Sequence, residues 1–172
     1  ARGAKVILVS GPTDLPVPPG VEYVPVTSAE EMYRRVRDYY RDCDVVIGAA
    51  AVADYRPRQF SQQKLKKGDS DLVIELTRNP DILAELGKEK GNRILVGFAA
   101  ETQDLIANAV DKMHKKNLDL LVANDVTLEG AGFGTDTNIV TIISRQGDTT
   151  PLPGMAKSDL ANVILDRISE LF

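Results

Sequence analysis

Three short segments, DVVIGAAAVA (44–53), RILVGFAAE (93–101) and LDLLVAND (118–125), are almost unbroken apolar runs. Runs of this length are strands, and a strand without polar alternation must be covered on both faces. Such cover comes from helices, and stretches with helical periodicity lie between and beyond the runs. TSAEEMYRRVRDYYRDC (27–43) places Ser28 and Glu31 at capping-box spacing and a stripe of Met32, Val36, Tyr39 and Tyr40. Asn79 as N-cap, with Pro80 in the first helical position, predicts a helix to about Lys90. DLIANAVDKMHKKN (104–117) and AKSDLANVILDRISELF (156–172) read as two more. Buried strands alternating with helices define an α/β fold with a doubly wound, mostly parallel sheet.

The remaining segments complete that plan. ARGAKVILVSGPT (1–13) reads as the tail of a helix closed by Gly3, then a strand over residues 5–10. A chain seldom starts at the end of a helix, so a strand, a turn and a helix are expected to precede it. An extended piece is expected around Val24–Val26, a strand over DLVIELT (71–77), and a hairpin over residues 138–153 turning near Gln146 and Gly147. The polar alternation of 71–77 and 138–153 suits a small antiparallel β appendage. With 172 residues, 43% of them hydrophobic, the chain can fill the core of one domain spanning 1–172.

Charge and cysteine content remove several classes of function. A net charge of -4 gives no global field toward nucleic acid or an anionic membrane. A single cysteine, Cys43, allows neither an internal disulfide nor a thiolate metal cluster, which fits the cytoplasm. The apolar runs are strand-sized, too short to span a membrane.

Ligands of an open parallel sheet bind beyond the carboxyl ends of its strands. Those ends are SGPT (10–13), GAAAVADY (48–55), FAAET (98–102) and AND (123–125), three of them rich in Gly, Ala or Ser. Small residues let a flat ring or a phosphate approach the backbone, or else let a helix pack tightly on the sheet. GAGFG (130–134) lacks the strand before and the helix after that a dinucleotide loop needs, and reads as a loop. Lys112, Lys115 and Lys116 form either a solvated basic helix end or a polyphosphate clamp. RPRQFSQQKLKK (56–67) is long and aperiodic. It is either a solvated loop or a lid that brings Lys64, Lys66 and Lys67 over a bound anion. His114 reads as a surface residue and Cys43 as a small core residue. Asp54, Glu101 and Asp125 are candidate carboxylates for Mg²⁺ held through water.

Five strings in order, AAVADYRP (50–57), KLKK (64–67), NPDIL (79–83), VGFAAET (96–102) and KNLDLLVAND (116–125), closely resemble bacterial phosphopantothenoylcysteine synthetase. In many bacteria this domain is the C-terminal half of a bifunctional coenzyme A biosynthesis protein, fused to a flavin-dependent decarboxylase. The resemblance implies a Rossmann-like, dimeric, CTP-dependent ligase working with Mg²⁺ and needing no flavin of its own. Its substrates would be CTP, 4'-phosphopantothenate and L-cysteine, joined through an acyl-cytidylate. Gly48, Ala49, Ala50 and Asp54 match the family's nucleotide-binding strand end. Asn79, Pro80, Asp81 and Ile82 match a second nucleotide-contacting turn, and Phe98 a contact beside the base or ribose. Lys112 and Lys116 match triphosphate-binding lysines, whereas Lys115 falls outside the match. Lys64 matches the catalytic lysine of a flap that closes over the reacting phosphate.

The family's opening strand, Gly-rich turn and Asn-x-Ser-Ser-Gly segment have no counterpart in this sequence, so a strand edge is expected to be exposed. Two other classes stay in view: a nicotinamide-dependent oxidoreductase on the same sheet, and a non-catalytic binding or assembly module.

Overall fold

The computed structural model describes residues 2–61, 63–64, 71–101, 105–125 and 135–172. The chain divides into two compact units, Ala1–Asp38 with Ala51–Asp81, and Tyr39–Ala50 with Ile82–Phe172.

In the first unit β1 (Ile7–Ser10) pairs in parallel with β2 (Glu22–Pro25), with Ile7 opposite Glu22. Residues 2–6 are not helical, contrary to the reading of a helix tail there. Gly3 does have the positive φ expected of it, 86°. Helix α1 (Ala29–Tyr40) begins where predicted: the Glu31 amide donates to Ser28 Oγ at 3.2 Å. The Glu31 carboxylate reaches back one residue further than in a standard capping box, accepting from the Thr27 amide at 2.8 Å and its hydroxyl at 2.9 Å. A short antiparallel pair, β4 (Tyr55–Pro57) and β5 (Leu76–Arg78), completes this unit. The strand expected over 71–77 is thus shorter and shifted; residues 71–75 are exposed and lie outside any strand. One further bond, from the Arg58 amide to the Glu75 carbonyl at 2.8 Å, prolongs the ladder.

The second unit carries the central sheet, in the order β10-β9-β7-β6-β3. β3 (Val45–Gly48), β6 (Ile94–Glu101) and β7 (Leu120–Asp125) are parallel; β9 (Val140–Ser144) and β10 (Thr149–Pro151) run antiparallel. Residues 138–153 do form the expected hairpin, with Gly147 at φ 91° in its turn. Yet β9 is an interior strand of the main sheet rather than an appendage. An additional small pair joins β8 (Thr137–Asn138) to β11 (Met155–Ala156).

Alternation along the inner strands builds two cores. Ile94, Val96, Leu120, Val122, Val140 and Ile142 pack under Leu160, Ile164 and Ile168 of α4 (Lys157–Ser169), with Phe98 against the same cluster. On the opposite face, α2 (Ile82–Lys88) and α3 (Leu105–Lys116) contribute the fully buried Leu86 and Met113. Leu95 and Leu121 are also fully buried. Helices on both faces explain why the sequences of β6 and β7 have no polar alternation. β3 departs from that expectation: only four residues pair, all with β6, and Ile47 is 44% exposed. It is an edge strand, so its apolar run is longer than its ladder.

Polar groups at the amino ends of these strands are satisfied. Lys90, buried, forms an ion pair with Asp119, whose other oxygen accepts from the Leu95 amide at 2.8 Å. The Tyr40 hydroxyl donates to the Leu86 carbonyl at 2.8 Å, and burial pushes its pKa up.

Candidate functional site

Among the described residues, the first unit holds Asp54, Lys64, Asn79, Pro80 and Asp81 of the predicted site. Asn79 is not a helix cap, because α2 starts three residues later at Ile82. Its side-chain amide instead donates to the Ala53 carbonyl at 2.8 Å, and its backbone amide donates to the Asp54 carbonyl at 2.8 Å. Its Oδ1 accepts from Arg56 Nη1 at 2.9 Å. Arg56 also donates to the Arg78 carbonyl and pairs with Glu30 at 3.4 Å. The Glu30 carboxyl is held below its ordinary value by its hydrogen bond to Arg34, then by the charges of Arg34 and Arg56. Asn79 therefore clamps the chain where it passes through Ala53 and Asp54, which brings two predicted binding segments together. The Asp54 side chain is left exposed. Lys64 is exposed and lies outside any helix or strand, whereas Lys66, Lys67 and the GAGFG stretch lie outside the described residues.

The second unit holds Gly48, Ala49, Ala50, Ile82, Phe98, Lys112 and Lys116. A Cβ on Gly48 would meet the Leu83 side chain at 2.8 Å. At Gly97, opposite Gly48 in register, it would meet Leu118 at 2.7 Å. Both glycines therefore admit α2 and the Leu118 side chain onto the sheet, which is the packing role for small residues. Ala49 and Ala50, just past the strand, are exposed and free of that constraint. Phe98 is half-buried on the α4 face of β6.

Lys112 and Lys116 lie one turn apart on α3 and are both half-buried. Lys115 is exposed and paired with Asp111 at 2.6 Å. Helix α3 returns from the carboxyl end of β6 to the amino end of β7, so Lys116, in its last turn, lies toward the opposite end of the sheet from Ala100 and Asn124. The second unit thus groups Gly48 with Phe98 on neighbouring strands, and Lys112 with Lys116 on one side of a helix.

Sequence reading passed over one residue here. Asn124, at the carboxyl end of β7, has a buried Oδ1 without a hydrogen-bond partner, the one such side-chain atom among the described residues. The AND string marks this strand end in the sequence, but residue type alone does not show that the asparagine's acceptor is unsatisfied. Of the carboxylates considered for Mg²⁺, Asp54 is exposed, and the side chains of Glu101 and Asp125 lie outside the described set. Among the described residues, no group of three or more His, Cys, Asp or Glu side chains is arranged to hold a metal. Nor is any described helix long and apolar enough to cross a membrane.

An open, mostly parallel sheet with helices on both faces and small residues after its edge strand β3 defines a Rossmann-like α/β domain. The family model for the DNA/pantothenate metabolism flavoprotein C-terminal domain matches residues 1–172, and the chain belongs to this family. It is 51% identical over 170 residues to the Coenzyme A biosynthesis bifunctional protein CoaBC of Bacillus subtilis (strain 168), covering 98% of this chain and 42% of that protein. Its identity to the protein of the same name from Escherichia coli (strain K12) is 43% over 172 residues, 97% of this chain and 42% of the relative. A protein named Cysteine/Cysteine sulfinic acid decarboxylase, from an unknown prokaryotic organism, is 43% identical over 99% of this chain and 48% of its own length. The chain spans less than half the length of each of these relatives. Among solved structures, the C-terminal domain of Coenzyme A biosynthesis bifunctional protein CoaBC superposes with a TM-score of 0.82 at 44% identity, covering 98% of this chain and 77% of that one. A DNA/pantothenate metabolism flavoprotein from Streptococcus pneumoniae shares the fold, with a TM-score of 0.79 at 22% identity over 99% of this chain and 82% of that one.

Proposed function

We propose that this chain supplies the nucleotide-binding part of a CTP-dependent phosphopantothenate–cysteine ligase of coenzyme A biosynthesis. The observation that carries this reading is the 44% identity, over 98% of the chain, to the solved C-terminal domain of a CoaBC protein. In the proposed reaction the carboxylate of 4'-phosphopantothenate attacks the α-phosphorus of CTP, pyrophosphate leaves, and an acyl-cytidylate forms. The amine of L-cysteine then attacks the acyl carbon, CMP leaves, and an amide remains. Such a sequence must neutralise a triphosphate and keep water from a mixed anhydride.

Residues of this chain suit those tasks. Lys112 and Lys116, one turn apart, offer positive charge of the kind that suits phosphate oxygens. The Ala49–Ala50 backbone, the Asp54 and Asn79–Ile82 segments and Phe98 are the proposed contacts to the nucleotide. Lys64 is the proposed catalytic lysine, carried on a flap. Mg²⁺ is assigned to the CTP complex as part of the substrate. The active form is proposed to be a cytoplasmic homodimer, joined to a flavin-dependent decarboxylase in the fused bacterial proteins.

Calorimetric titration with CTP, ATP and NADH tests the reading. Saturable CTP binding, weakened about ten- to a hundredfold by Lys112→Gln, is the expected result, since one charge-assisted contact to phosphate is worth about 1.5–3 kcal/mol. Binding of NADH alone would make the chain a dehydrogenase module. No nucleotide binding by the folded protein would remove the ligase reading.

A further inference from the structure

Along its α4 face β7 presents Leu120, Val122 and Asn124, and the first two are core residues. In register beside them on β6 stand Val96, Phe98 and Ala100, and on the other side β9 presents Val140 opposite Asn124. The column is therefore apolar up to its carboxyl end, where it closes with an amide. The buried Oδ1 of that amide has no partner among the described residues. A buried orphan acceptor loses its water and receives nothing back, so folding alone gives no reason to keep one. Leucine would continue the column without that cost. The position is informative because strand carboxyl ends are where open α/β sheets take ligands. Asn124 is also a diagonal neighbour, on the same face, of Phe98.

We propose that Asn124 is a nucleoside-binding residue whose Oδ1 accepts a hydrogen bond from a donor on the base or ribose lying beside Phe98. This inference rests on the nucleotide-binding reading above and adds to it the group that recognises the nucleoside end. An orphan acceptor favours a donor: the exocyclic amine of an aminopyrimidine, or a ribose hydroxyl. Uracil offers an oxygen in place of that amine and would leave two acceptors facing each other, so an acceptor at this point separates cytosine from uracil. A ribose contact would instead separate ribonucleotides from 2'-deoxyribonucleotides.

The experiment compares the full chain with its Asn124→Leu variant by calorimetry with CTP, UTP and 2'-deoxy-CTP, alongside thermal melting of each. The expected result is a melting temperature equal to or above that of the parent, with CTP bound about tenfold more weakly, the worth of one hydrogen bond to a buried acceptor. If the amine is the donor, the variant loses the CTP-over-UTP preference. If the ribose hydroxyl is the donor, it loses the CTP-over-deoxy-CTP preference. Unchanged CTP affinity overturns the proposal, and so does a lower melting temperature with affinity intact, which would make Asn124 a structural residue. Should the leucine variant fail to fold, Asn124→Ala is judged by the same criteria. A parent protein that binds none of the three nucleotides sinks the ligase reading and this inference together. A parent that binds CTP, with a variant that binds it equally well, sinks this inference alone.

Discussion

Gly87 sits where α2 and α3 come together backbone to backbone. A Cβ at this position would overlap the Lys116 carbonyl, lying 2.9 Å from its carbon, and would stand 3.2 Å from the Asn117 side chain. Asn117 fixes the same junction: it ends α3 at φ 56° and donates its side-chain amide to the Gly87 carbonyl at 2.9 Å. Neither backbone yields as a flexible side chain would, so Gly87→Ala is expected to destabilise the fold by about 2–3 kcal/mol, the upper range for overpacking. Gly11→Ala, with nothing within 4 Å of the added methyl, is expected to change stability by less than about 1 kcal/mol. Chemical denaturation of the two variants checks the contrast. None of this was legible in sequence. DILAELGKEK shows a glycine inside a helical pattern and carries no trace of the second helix that the missing side chain admits. Asn124 is a similar case, because an unsatisfied acceptor is a property of surroundings, not of residue type.

At the scale of elements, local chemistry was readable and pairing was not. The start of α1 followed from Ser28 and Glu31, since cap and carboxylate lie within one turn of each other. The Thr27 amide and then its hydroxyl, both donating to the carboxylate, hold Glu31 below its ordinary value of 4.5. A carboxyl with a lowered folded-state value contributes stability that is fully present above the unfolded value and is lost as pH falls through the folded one. The Thr27 amide resonance is therefore expected to shift as pH falls, with a midpoint below 4.5. Nuclear magnetic resonance titration checks this, and in Glu31→Gln the step should vanish. The strand lengths fared differently. DVVIGAAAVA and DLVIELT have the composition of strands along their whole length, yet only Val45–Gly48 and Leu76–Arg78 pair. Strand extent depends on a neighbour offering a ladder, and the residues that provide β3's neighbour lie about 50 positions away in sequence. The Asn79 prediction erred for the same reason: its polar groups found the Ala53 and Asp54 backbone before they found a helix.

For the molecule as a whole, hydrophobic patterning settled the class of fold. Parallel β3, β6 and β7 with helices on two faces follow from uninterrupted apolar strands separated by helix-length segments. The antiparallel hairpin of β9 and β10 was legible, but its insertion into the main sheet beside β7 was not, because a strand's composition does not name its neighbour. The β appendage belongs instead to the first unit, where it leaves a surface that the single chain does not cover. Leu72, Val73 and Ile74 are 67%, 83% and 60% exposed, and no strand hides one side of the run. Phe60, in the same unit, is 87% exposed. Consecutive apolar residues in water mark an interaction surface, and the homodimer proposed above would cover them. Because a two-fold interface uses the same patch on both copies, one charged substitution acts twice, placing like charges near each other in a dry contact. Sedimentation of the parent chain is expected to show a mass rising to twice that of the monomer with concentration. Val73→Glu is expected to hold it at the monomer mass throughout, with an unchanged circular dichroism spectrum because the side chain is 83% exposed. A parent that stays monomeric at every concentration, or a variant that dimerises like the parent, would remove residues 72–74 from the interface.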